Sequence, residues 1–189
     1  WIDHVAWLGH MTPNRWVGHR DHALFFDIGS AKPRHRTPSV SAAGIDGQLE
    51  GKRSGLTVAD DVETANNTGT VEMRMKLDHR VRELARVTTY KPGDIIFVGT
   101  YHTDDSVYLK LRDRGYAFRT WPIMVPNESE MYDENGELRI VNMAPQIQKA
   151  LDDGKMAPGD KVFPHRHSDQ YILEQREEGP TSWEMHQLL

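Results

Sequence analysis

Three carboxylates, Asp60, Asp61 and Glu63, follow directly on a short apolar run, Leu56-Thr57-Val58-Ala59. A run of this length bounded by polar residues reads as a buried strand, and ligand sites in open α/β sheets lie at the C-terminal ends of such strands. Carboxylates placed there can hold a magnesium ion or orient an attacking water. The same pattern also suits an ordinary strand that ends in a solvated acidic turn. Upstream, the glycine-rich and basic stretch from Gly44 to Arg53 presents Lys52 and Arg53 beside the acidic strand end. A second place of the same kind is Gly99-Thr100, after Asp94-Ile95-Ile96-Phe97-Val98. A glycine and hydroxyls at the end of a second parallel strand would face the same crevice as Asp60. The bland reading there is a strand-to-helix turn in which Thr103 or Asp104 caps the next helix.

Other candidate chemistry falls away on spacing. A phosphate-binding GxxxxGK[ST] loop needs four residues between its glycines and a hydroxyl after the lysine. Gly47 and Gly51 are separated by three, and Lys52 is followed by Arg53. His19 and His22 lack the glutamate of an HExxH pattern, and His165-Arg166-His167 with Asp169 has no further ligand at a telling spacing. The chain has no cysteine, which excludes disulfides and thiolate metal sites. A net charge of −5 argues against a broad basic nucleic-acid surface while leaving room for local phosphate contacts. With 38% hydrophobic and 27% charged residues, the 189-residue chain has the composition of a folded globular protein, and no apolar run is long enough for a membrane span.

The elements that must position these residues follow from periodicity. Leu24 to Ile28, Ser39 to Ala43 and Leu56 to Ala59 are expected as strands of one sheet. Met73, Leu77, Val81 and Leu84 fall at helical spacing and predict a helix over 71–86, with Glu72 in its first turn. After a Lys91-Pro92-Gly93 turn comes the strand Asp94 to Val98, so that strand, helix and strand form a crossover unit with parallel pairing. A helix is expected from Asp105 to Arg114, stopped by Gly115, and a strand from Tyr116 to Ile123. Beyond Pro126 the pattern changes to a small hairpin on Asn135-Gly136, a helix from Pro145 to Leu151, a helix capped by Ser168 through Glu177, and a last helix opened by Thr181-Ser-Trp-Glu184. The chain begins at Trp1 inside an apolar run, without an initiating Met, and is expected to be a piece of a longer protein.

The ordered runs SVSAAGIDGQLEGKRSGLTVADDVETANN and VGTYHTDDSVYLKLRDRGYAFRTWP resemble the large terminase subunit of tailed bacteriophages, in particular the T7-like DNA-packaging ATPases. The resemblance spans about Phe25 to Pro126 and continues more weakly to the C-terminal residues Trp183 to Leu189. It implies an α/β fold: a partial P-loop NTPase of the additional-strand class, with a mostly parallel sheet flanked by helices and a small helical linker subdomain. Residues 1–126 would be the second half of the ATPase core, and 127–189 the linker subdomain leading toward a nuclease. By the same resemblance, Leu56 to Asp61 is the Walker B strand, Asp60 holds Mg2+, and Asp61 or Glu63 polarises the water that attacks ATP. Gly99-Thr100 matches the coupling motif that senses the γ-phosphate. Arg53 matches a basic residue before the Walker B strand, which either stabilises phosphate charge or pairs with Asp61. Implied partners are double-stranded viral DNA, the portal protein, the small terminase subunit and further copies in a ring on the capsid vertex. The implied location is the host cytoplasm and, transiently, the procapsid, with no membrane attachment.

Two other readings share parts of this pattern. Another strand-class ATPase, such as a helicase-like protein, would also carry a Walker B strand and a polar sensor. A non-catalytic α/β binding domain would show aspartates that are exposed and remote from Thr100. The packaging reading puts the Walker A loop and the adenine-binding segment upstream of Trp1, and the fragment alone is then expected to hydrolyse no ATP. Reading the coding frame upstream of Trp1 for about 150 codons checks this. A GxxxxGK[ST] loop between a strand and a helix is the expected result, and a frame without one contradicts the reading.

Overall fold

The structure is a computed structural model, and it describes residues 11–32, 36–47, 53–88, 94–103, 105–127, 130 and 142–177. The chain divides into two compact units, 1–50 and 51–189.

In the first unit, a 3-10 turn at Arg15–Val17 is closed by Gly18 in the left-handed conformation. Three two-residue strands follow, β1 (Asp21–His22), β2 (Phe25–Phe26) and β3 (Val40–Ser41), in an antiparallel sheet of order β1-β2-β3. His22 lies opposite Phe25 across the hairpin, and their rings stack at 4.5 Å. So small a sheet has little apolar area, and polar groups pin it instead. Buried Asp27 accepts hydrogen bonds from the Arg20 backbone N–H (2.8 Å), from Arg20 Nε (3.0 Å) and Nη2 (3.1 Å), and from the Ser39 N–H (3.3 Å). The Arg20 side-chain hydrogen bonds are the main cause that holds the Asp27 carboxyl at about 2, below its ordinary value. Buried His19 joins two loops, with Nδ1 accepting from the Asn14 N–H (3.1 Å) and Nε2 at 3.0 Å from the Ala31 carbonyl.

The second unit is built on two parallel strands, β4 (Leu56–Asp60) and β5 (Asp94–Val98), in register from Leu56↔Asp94 to Asp60↔Val98. Parallel strands need a crossover. It is supplied by α1 (Ala65–Thr68) and α2 (Val71–Val87). Thr70 caps α2 by accepting from the Met73 N–H at 3.2 Å, and α2 buries Leu77, Val81 and Leu84. Helix α3 (Val107–Asp113) follows β5 and is tied to α2 through Arg114 on Asp78 and through Asp105, which bridges Arg74 (3.2 Å) and Lys110 (2.7 Å). Helix α4 (Pro145–Asp152) and helix α5 (Asp169–Glu177) complete the described elements. Val125, Ala144 and Ile147 form a core cluster covered by Met143, Leu151, Met156 and Val162.

The α/β class, the parallel pair and the crossover helix agree with the sequence reading. Three expectations are corrected. The strands near Phe25 and Val40 do not join Leu56–Asp60; they pair with each other in the first unit. Tyr116 to Ile123 is not a strand, because its region makes only isolated bridges, Thr120 with Met143 and Met124 with Lys161. The cap of α3 is Ser106, whose hydroxyl accepts from the Tyr108 N–H at 3.2 Å, so the helix starts two residues after Asp105. In the short helix α1, Asn67 Oδ1 accepts the Thr64 N–H at 2.9 Å. Gly115 does sit past the end of α3 in the left-handed conformation, and Ser168 does cap α5 through the Tyr171 N–H at 3.1 Å. The Lys91-Pro92-Gly93 turn, the Asn135-Gly136 hairpin and the helix opened by Thr181 lie outside the described residues.

The buried Asp27 pair carries a pH prediction. Its folded pKa is lowered, so its contribution to stability is complete above the ordinary aspartate value and is lost as pH falls through about 2. Acid titration followed by the near-UV signal should show the first unit loosening between about pH 4 and pH 2. Asp27→Asn should weaken the unit at neutral pH and flatten that acid dependence.

Candidate functional site

Parallel pairing in register brings the C-terminal ends of β4 and β5 side by side. The ladder continues one step past β4, with the Asp61 N–H donating to the Val98 carbonyl at 2.9 Å. Asp61 takes a φ of 42°, in the left-handed region that aspartate tolerates better than most residues. This turn releases the chain from the sheet and leaves the Asp60 and Asp61 side chains exposed.

On the neighbouring strand, Gly99 adopts a φ of 156° at a point of close approach. A Cβ there would lie 2.0 Å from Tyr108 Oη and 3.2 Å from Asp61 Oδ1, so only glycine fits. The Tyr108 hydroxyl donates to the Val98 carbonyl at 3.2 Å. Burial, reinforced by the charges of Glu63 and Asp61, pushes that phenol up to about 12, which keeps it a donor. Tyr101 is likewise raised, chiefly by burial, and its ring lies 6.2 Å from Tyr108 and 6.3 Å from Phe118.

Asp60, Asp61, Gly99 and Thr100 line one cleft of about 700 Å³. Arg119, Trp121, Arg166 and His167 also line it. The two aspartates are exposed but share their cleft with Thr100 rather than lying remote from it. Arg53 is exposed and is not among the lining residues. Glu63 is not among them either. It is 2% exposed, and its carboxylate accepts from the His102 N–H at Oε2 (3.1 Å) and from the Val107 N–H at Oε1. Thr103 Oγ1 is buried without a hydrogen-bond partner.

Arg166 and His167, weighed in the sequence only as part of a metal motif, are placed instead at the cleft. His167 stacks on Tyr171 at 5.3 Å, and burial together with Arg166 and Lys161 lowers its pKa. Among the described residues no group of three or more His, Asp or Glu gathers as a metal cluster. Tyr108, Arg119 and Trp121 escaped the sequence reading, because nothing in their local spacing separates them from a helix face and a loop.

The chain is 36% identical over 179 residues to the "Terminase, large subunit" of Enterobacteria phage T3. The match takes in 93% of this chain and 29% of that protein, so the chain spans less than a third of its relative's length. No protein-family model matches. The chain is thus similar over nearly its whole length to a segment of a large terminase subunit, as the ordered motifs indicate.

The Gly99–Tyr108 contact yields a direct test. Gly99→Ala forces Tyr108 off its position and should destabilise the second unit by about 1–3 kcal/mol in thermal melts. Tyr108→Phe removes the hydroxyl that the new methyl would strike. The double variant should therefore lose less stability than the two single losses combined, and strict additivity would show that the close approach is not the constraint.

Proposed function

We propose that this chain is part of the ATP-hydrolysing motor of a large terminase subunit, which moves double-stranded viral DNA into the procapsid. One observation carries the reading: Asp60-Asp61 and Gly99-Thr100, at the ends of adjacent parallel strands, line a single cleft. The similarity to a segment of a phage large terminase subunit supports reading that cleft as part of a packaging protein. On this reading the fold is part of a P-loop NTPase of the additional-strand class, with β4 as the Walker B strand and the end of β5 as the coupling motif.

The residues present fit a magnesium ion. The aspartates offer hard oxygen donors on exposed side chains, and Mg2+ commonly takes only one or two protein carboxylates, completing its shell with water and phosphate. When bound, Mg2+–ATP supplies the phosphoanhydride bond and neutralises the charge that develops on phosphoryl transfer. The chain's own groups do the rest. Asp60 would hold the metal. Asp61, facing the cleft, accepts a proton from the attacking water. Thr100 offers its hydroxyl to the terminal phosphate, and the narrow Gly99 lets the backbone come close. Asp61 is assigned the base over Glu63, because both Glu63 oxygens are already engaged by backbone amides. Arg53 stays outside the cleft and is read as supporting the segment before β4. Portal protein, small terminase subunit, a ring of copies on the capsid vertex and a nuclease elsewhere in the polypeptide complete the proposed setting in the host cytoplasm. No described helix is long and apolar enough to cross a membrane.

The test uses the full-length subunit that contains this segment. Asp60→Ala should abolish ATP hydrolysis. Asp61→Asn should lower turnover by about 10²–10⁴-fold, the range for a lost general base, with nucleotide binding retained. Hydrolysis by Asp60→Ala at the unaltered rate contradicts the proposal.

A further inference from the structure

We infer that Glu63 is a positioning residue, which locks the loop after β4 to the loop after β5 so that the carboxylate pair, Thr100 and helix α3 move as one body. Its role in hydrolysis rests on the reading of the cleft given above; the lock itself rests on geometry alone. A carboxylate buried to 2% exposure is costly unless its oxygens are partnered. Among the described residues Glu63 forms no ion pair. Each of its oxygens instead accepts a backbone amide, from His102 and from Val107, 39 and 44 residues away in sequence. Both donors belong to the segment that runs from β5 into α3.

The first two residues of α3 grip both strand ends. Val107, at the first helical position, lends Glu63 an N–H that has no partner within the helix. Tyr108, next in sequence, reaches across Gly99 to the Val98 carbonyl and packs beside Asp61. Ser106, fully buried, fixes the turn by accepting from the Tyr108 N–H. A displacement of α3 therefore pulls on the Asp61 side and the Thr100 side together. A catalytic base needs a lone pair facing the reacting atoms, and Glu63 has neither that exposure nor a place on the cleft.

Amide hydrogen exchange on this chain, read by NMR, tests the lock. In Glu63→Ala the His102 and Val107 amides should exchange about ten- to a hundredfold faster, while Leu77 and Val81 in α2 keep their protection. Glu63→Gln retains one carbonyl acceptor and should release only one of the two amides, which keeps the test decisive if the alanine variant fails to fold. Equal acceleration throughout α2 and α3 would make Glu63 a general stabiliser and overturn the inference. So would no change at His102 and Val107. In the full-length subunit, Glu63→Gln should lower kcat about tenfold with KM for ATP unchanged and the shape of the pH profile kept. Disappearance of one limb of that profile would make Glu63 the base and overturn the assignment. If Asp60→Ala leaves hydrolysis intact, the hydrolytic reading fails while the exchange data still decide the lock.

Discussion

The rest of the second unit depends on the parallel pairing of Leu56–Asp60 with Asp94–Val98. Parallel strands point the same way, so a register that sets Asp60 against Val98 places everything that follows the two strands at one edge. Both loops then leave the sheet together and can be joined by side chains as short as glutamate and tyrosine. A slip of one residue would turn Leu56, Val58 and Asp60 to the other face and separate Asp61 from Gly99. The register is therefore both a folding constraint and the condition for any chemistry at the cleft. One face of this pair, carrying Leu56, Val58, Ile96 and Val98, is exposed, whereas Ala59 on the other face is buried.

Around that pairing the structure uses two kinds of glue. Helix α2 buries Leu77, Val81 and Leu84, a stripe at helical spacing that places nonpolar area inside at little cost in polar groups. The ends of elements are held instead by charge and hydrogen bonds. Asp78 takes Arg82 and Arg114, and Asp105 takes Arg74 and Lys110. Partly exposed ion pairs of this kind add little stability singly, but they fix where α3 lies relative to α2. In the first unit the balance tips further, since six residues of strand hold almost no core and the Asp27 network carries the fold.

What was legible in the sequence was local and periodic. The α2 stripe, the two apolar strands with carboxylates or glycine at their ends, the Gly115 stop and the Ser168 cap could all be read from residue type and spacing. What was not legible depended on partners distant in sequence. Phe25 and Val40 have strand-like neighbours, but no local signal says that they pair with each other and not with Val58. Tyr116 to Ile123 has the apolar content of a strand, yet its backbone finds partners at Asn142, Ala144 and Val162 and stays irregular. Glu63 read as a candidate base because acidic residues near a strand end suit that role. Its burial and its two amide partners, some forty residues away, can be known only from the fold. The sequence therefore showed the two ends of the candidate site and missed what ties them together.

On the proposed reading, Asp60-Asp61 and Gly99-Thr100 form one metal-dependent half-site. The most direct measurement is paramagnetic broadening of the 15N-labelled chain by Mn2+, an oxygen-seeking substitute for Mg2+. The account predicts that the amides of Asp61, Gly99 and Thr100 broaden together as Mn2+ is added, and that Asp60→Ala removes the effect at all three. Broadening confined to other acidic surfaces, or unchanged in Asp60→Ala, would contradict it.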